Sequence, residues 1–263
     1  MKAALCISGQ MRTYRECREN LKKYIIDPLN PDIFIHTWSN SGITTKAEQK
    51  VKKGFRDEKV TYSILAEFYR PRMAIIEEFK DSYTEEMNGV RVPDMLKEAE
   101  SQHYKGAIPM FYKMYECNEL KRRWEREHNF RYDMVIKIRP DMLVAAEIPA
   151  QVKENPDILW FSDCKVNPRV QVSDKFAISC SAHMDYYCSV WKRLSQYWEE
   201  PLGDGEWKNH RVGERLMRFH LEQSGIEFRP FSTACDILRN SLPKPGRVGT
   251  FLDWIRHFVT NKK

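Results

Sequence analysis

The sequence predicts an α/β fold, a mostly parallel twisted sheet flanked by helices. Short runs rich in β-formers alternate with segments of helical period. The first two strands are separated by a single helix, and "MVIKIRPDMLV" (134–144) reads as a buried apolar strand broken by an arginine, a proline and an aspartate.

"KAALCIS" (2–8) is an apolar run that stops at Gly9, and Tyr14, Cys17, Leu21 and Tyr24 then share one helical face. "PDIFIHTW" (31–38), bounded by Pro31 and by Ser39-Asn40-Ser41-Gly42, is the second strand, beside the first. A βαβ start implies parallel pairing and a right-handed crossover. Residues 39–60 and 80–107 lack a sustained period and read as loops or insertions, with "MAIIEEF" (73–79) between them as a third strand. From Met110 onward, Met110, Met114, Cys117, Leu120 and Trp124 mark a long helix that leads into the 134–144 strand. "DILWFSD" (157–163), "DKFAISC" (174–180) and "IEFRPF" add strands. Residues 182–199 and 211–224 read as helices, the latter capped by Gly225. In such a fold the ligand is expected near the carboxyl ends of the strands.

Composition narrows the class. The 263 residues are 42% hydrophobic, enough for a sizeable core, and the organisation expected is one domain over 1–240 with an amphipathic helical tail over 241–263. In that tail Phe251, Trp254, Ile255, Phe258 and Val259 fall at helical spacing among basic residues. It either docks on its own domain or makes peripheral contact with an anionic membrane. No apolar run is long enough to cross a bilayer, and "MKAALCISGQ" turns polar too soon for a signal peptide, so a cytoplasmic location is expected. Seven cysteines without a CxxC pair read as reduced core residues, neither disulfides nor a zinc site. A net charge of +6 suits a phosphate-bearing ligand or an anionic surface and does not call for nucleic acid.

Pro140 has no amide hydrogen for a ladder, so it ends or bends its strand and leaves Asp141 where the sheet opens. There Asp141 is either a turn residue or a ligand for a hard cation. "SGQMR" (8–12) is a glycine turn between strand and helix that exposes backbone amides to an anion or base, or is an ordinary βα turn with Arg12 solvated. Lys113 lies off the Met110/Met114 stripe and points either at a phosphate or into solvent. Asp174 opens an apolar strand, as a turn residue or as a general base. Glu214 enters a helix and complements its dipole, and His220 reads as a packing histidine.

Together the segments at 6–38, 68–78, 110–142 and 173–179 resemble a family of small glycosyltransferases with the nucleotide-sugar-binding, Rossmann-like fold called GT-A, found in viral and bacterial polysaccharide loci. In that family an Arg-x-Asp element, here Arg139 to Asp141, takes the place of the Asp-x-Asp motif of other GT-A enzymes. The resemblance implies that Asp141 holds Mn²⁺ or Mg²⁺ against a sugar diphosphate, with Arg139 turned away or adding charge to the diphosphate. It implies that Ser8, Gly9, Gln10 and Arg12 line the nucleotide pocket and that Lys113 faces the donor. The donor expected is a UDP-sugar and the acceptor a hydroxyl of a glycan or lipid-linked glycan. For an inverting reaction the base is Asp174 or Glu214. Two other readings stand beside this one. The elements "PD" (140–141) and "DCK" (163–165) match a metal-dependent nuclease pattern, and a nucleotide-sugar fold that binds without turnover accommodates Arg139.

Overall fold

Along β1 (Ala3–Ser8) successive side chains leave for opposite faces of the sheet, and all six residues are buried. Both faces must therefore be covered. The structure, a computed structural model, describes residues 1–42, 58–80, 86–87, 90–91, 103–163, 167–169, 171–199, 213–233 and 235–238.

The further strands are β2 (Asp32–Trp38), β3 (Met73–Glu77), β4 (Met134–Ile138), β5 (Met142–Val144), β6 (Leu159–Ser162), β7 (Phe176–Ser179), β8 (Phe228–Phe231) and β9 (Cys235–Ile237). Seven of them form one sheet in the order β8-β6-β7-β4-β1-β2-β3. All pairings are parallel except those of β7, which runs against both β4 and β6. β5 and β9 pair separately as an antiparallel ribbon.

Helices cover both faces. α1 (Tyr14–Leu21), α2 (Tyr62–Tyr69) and α4 (Ala150–Glu154) pack on one side, burying Tyr14, Leu21, Leu65, Tyr69 and Val152 against Leu5, Ile7, Ile35, Ile136 and Ile138. α3 (His103–Glu127), α5 (Ser181–Cys188), α6 (Val190–Glu199) and α7 (Gly213–Glu222) cover the other, around Ala4, Cys6, Phe34, Val135 and Ala177. Each Leu, Ile, Val or Phe side chain among them contributes about 1.5–3 kcal/mol by leaving water. The predicted α/β class and mostly parallel sheet are what the chain adopts.

Several elements differ from the expectation. The 134–144 run is two strands, because Pro140 cannot continue the ladder and the chain turns before β5. α3 begins at His103, with Pro109 inside it, well before Met110. The 182–199 helix is broken after Cys188, and α2 and β9 were not foreseen. The described cysteines are free, and all but Cys180 are buried. No described helix is long and apolar enough to cross a membrane, and the 241–263 tail lies outside the described residues.

Candidate functional site

Strand order reverses direction at β1, with β2 and β3 on one side and β4 on the other. In an open α/β sheet the crevice at such a reversal, beyond the carboxyl ends of the two strands, is where a ligand fits. Ile7 is level with Ile138, and Ile138 with Phe176 across the antiparallel β7. Ser8 to Arg12, Arg139 to Asp141, and Asp174 with Lys175 therefore reach one edge.

The turn after β1 is shaped by two left-handed residues. Gly9 has φ +119°, accessible to glycine at little cost, and Arg12 has φ +34°, unusual for a residue with a side chain. The Gly9 amide donates to the His36 carbonyl at 3.2 Å, and the Arg12 amide to the Ser41 carbonyl at 2.9 Å. The Thr37 hydroxyl donates to the Gly9 carbonyl at 2.8 Å. Ser8 and Gln10 are buried, and Gln10 Oε1 accepts from Arg12 Nε at 3.1 Å. Gln10 Nε2 is a buried donor with no hydrogen-bond partner among the described residues.

Asp141 is 0% exposed, and its carbonyl accepts from the Leu238 amide at 2.8 Å. Arg139 grips its carboxylate with both ends of a fork, Nε to Oδ1 and Nη2 to Oδ2, each at 2.8 Å. Arg12 Nη1 stands 3.5 Å from Oδ2 on another side. Burial alone would raise the Asp141 carboxyl, but the two guanidinium groups outweigh it and hold the group below the usual carboxylate range.

The two proposed bases are neighbours. Asp174 is 7% exposed, and a Cβ placed on Gly213 would sit 3.3 Å from its Oδ2, so the first turn of α7 is packed against it. Glu214 is the next residue, and its Oε1 accepts from Lys175 Nζ at 3.1 Å. Among the described residues Asp174 Oδ1 has no hydrogen-bond partner. Burial, then the charge of Glu214, push the Asp174 carboxyl upward, against the pull of Lys137, Lys175 and Arg139. Of the pair, Asp174 has the raised carboxyl, while Glu214 is paired with Lys175.

Lys137 is the residue sequence reasoning passed over. It is fully buried in β4 and its ammonium donates to the Asp174 carbonyl. The Tyr187 hydroxyl holds the Ser173 carbonyl at 2.6 Å, and Ser162 Oγ donates to Ser173 Oγ at 3.1 Å. Lys137 and Tyr187 thus fix the backbone that presents Asp174, and Ser162 holds the Ser173 side chain. The available signal was the lysine inside "MVIKI", a charge where a buried strand has no use for one.

Lys113 is not at the crevice surface. It is 0% exposed, and its Nζ donates to Glu77 Oε2 at 2.6 Å and to the Thr37 carbonyl at 3.1 Å, 3.5 Å above the Trp38 ring. Burial lowers its pKa to about 8 against the pull of Glu77. Because Thr37 in turn holds Gly9, Lys113 buttresses the glycine turn from behind, which corrects the expectation that it faces a donor. His220 is the packing histidine expected. Its Nδ1 accepts from the Tyr197 hydroxyl at 2.8 Å, and its Nε2 donates to the Tyr186 carbonyl at 2.7 Å.

As placed, these residues do not fit a divalent cation. Both oxygens of Asp141 are on guanidinium donors, and positive charge beside them opposes a further cation. Among the described residues no group of three or more His, Cys, Asp or Glu could hold a metal ion. Of the nuclease pattern, Asp163 follows β6, on the far side of β7 from β4, and Lys165 lies outside the described residues.

No family model matches the sequence, and no curated protein does. Among solved structures the chain is similar to core-mannan synthase A from Aspergillus fumigatus in its Mn/GDP form. The TM-score is 0.47 and the identity 11%, with 96% of this chain and 82% of that chain covered. A likeness this loose carries no weight beside the strand order and the residues above.

Proposed function

We propose that the protein is a glycosyltransferase of GT-A architecture, moving a sugar from a nucleoside-diphosphate sugar to a hydroxyl of a glycan or lipid-linked acceptor. One observation carries the reading. At the crevice where strand order reverses, a glycine turn with two guanidinium groups comes level with a buried carboxyl whose pKa is raised. The first two suit a nucleotide diphosphate, and the third suits a proton acceptor.

In this scheme the turn from Ser8 to Arg12 seats the nucleotide, with the unpaired Gln10 Nε2 offering it a donor. Arg12 and Arg139 face the diphosphate. The acceptor oxygen bonds to the anomeric carbon as the bond from that carbon to the diphosphate oxygen breaks. The electron pair leaves on the diphosphate, and the hydroxyl proton passes to Asp174. Guanidinium charge at the departing phosphate lowers the barrier because that charge develops in the transition state. Lys137 and Lys113 hold backbone and touch no substrate.

The test is nucleotide release and thermal stabilisation across a panel of nucleotide sugars, UDP-linked donors first, with a panel of glycan acceptors. Release from one donor that depends on acceptor and is lost in Asp174→Asn, while donor stabilisation persists, is the expected outcome. Stabilisation without release under any acceptor would make this a binding protein, and a panel without either would remove the reading.

A further inference from the structure

We infer that the protein holds the diphosphate of its donor with the guanidinium groups of Arg12 and Arg139 and requires no divalent cation there, Asp141 serving as the anchor that aims both. The inference rests on the proposed glycosyl transfer, and it concerns how the leaving group is bound.

A carboxylate that serves a cation must turn an oxygen toward the ligand's space, and Asp141 turns none. It is 0% exposed, with an Arg139 fork on both oxygens and Arg12 beside Oδ2. The two arginine side chains are 14% and 16% exposed, so of these three charged groups the arginines, and not the carboxylate, reach the surface. Asp141 lies beneath it.

The geometry around the anchor is stiff. β4 ends at Ile138, Pro140 fixes the turn, and the Leu238 amide holds the Asp141 carbonyl. Asn20 seals the next stretch, its side-chain amide donating to the Val144 carbonyl at 2.9 Å and accepting from the Val144 amide at 2.7 Å. On the other side Arg12 is kept in its left-handed conformation by the bond to Ser41, and its guanidinium is aligned by Gln10. Strained backbone that persists because its surroundings over-determine it is characteristic of ligand sites. A planar fork with fixed donors also recognises phosphate oxygens, and its charge does not depend on pH.

This changes the meaning of the Arg-x-Asp element. Where two carboxylates bring a doubly charged ion to the diphosphate, the carboxylate here holds guanidinium groups, cations that belong to the protein itself. Leaving-group stabilisation then needs no metal to arrive with the donor.

The deciding experiment is isothermal titration of the full chain with UDP, GDP and the other common nucleoside diphosphates, in chelator and then in Mn²⁺. The expected result is binding of one nucleotide with an affinity in chelator within about twofold of that in Mn²⁺. Binding should weaken about tenfold or more in Arg139→Lys, which keeps the charge but cannot form the fork. Arg12→Lys gives the same loss and serves where Arg139→Lys melts below the assay temperature. Binding that appears only with Mn²⁺ would overturn the inference and leave the transferase reading standing. Silence toward every nucleotide in both conditions would overturn both.

Discussion

Asp141 and Asp174 are two buried carboxyls at one crevice with opposite electrostatic fates. Asp141 has two guanidinium partners and is held ionised, whereas Asp174 has a carboxylate neighbour, an unpaired oxygen and little water. In the proposed scheme that difference of environment suits one to anchoring and the other to proton transfer. A carboxyl whose folded pKa is raised favours folding below its unfolded value and loses that contribution as pH rises through the folded one. Asp174→Asn should therefore gain stability at neutral pH, by about 1 kcal/mol, because an ionised oxygen without a partner is replaced by a neutral group. Urea melts at pH 7 and at pH 4 would check this, the gain shrinking at the lower pH where the native carboxyl is also neutral. A loss of stability at pH 7 would mean that Asp174 is satisfied by a contact it does not make here.

At the scale of elements, the site is made by strand ends and not by any one motif. The Gly9 turn and the Pro140 turn are adjacent because β1 and β4 pair in register, and a Cβ on Gly9 would lie 3.9 Å from Pro140 Cδ. That is ordinary contact, so Gly9→Ala meets no clash and its cost lies in the backbone, at φ +119°. The expected loss is about 1 kcal/mol or more in chemical denaturation, with weaker nucleotide binding because the exposed amides shift. An unchanged midpoint would show that the turn relaxes freely. α7 matters to the same edge, since a residue without a side chain at Gly213 lets the first turn approach the Asp174 carboxylate.

Across the whole molecule, the layer formed by α3, α5, α6 and α7 is less apolar than its periodicity suggests. Lys113, Lys121 and Lys137 are all buried there, each with an oxygen partner. Burial lowers the Lys137 pKa to about 8 from 10.5, despite the charge of Asp174. Between those values the unfolded chain binds more protons than the folded one, so this residue makes stability rise with pH. The stability of the native protein relative to Lys137→Met should accordingly increase from pH 8 to about pH 10. Taking the difference cancels Cys17 and Tyr69, whose raised pKa values act the other way in both proteins. A difference flat with pH would mean that water or an acid reaches the Lys137 ammonium.

Read alone, the sequence determined the α/β class, most of the strands, the glycine turn after the first one, and the break at Pro140. Each of these is local chemistry: alternation and period, a residue that admits positive φ, and a residue without an amide hydrogen. It also put Asp141, Arg139, Asp174 and Glu214 on the page as candidates, and it read His220 correctly as packing. Only the tertiary structure decided what those charges do. A lysine on a helix carries no mark of whether its end meets solvent or Glu77, so Lys113 was placed toward a ligand when it supports the turn from behind. Nothing local tells Asp141 that Arg12, 129 positions earlier in the chain, stands beside it. Strand pairing brought those side chains together, and a carboxylate that would bind a cation in solvent became, between two guanidinium groups, the anchor for them.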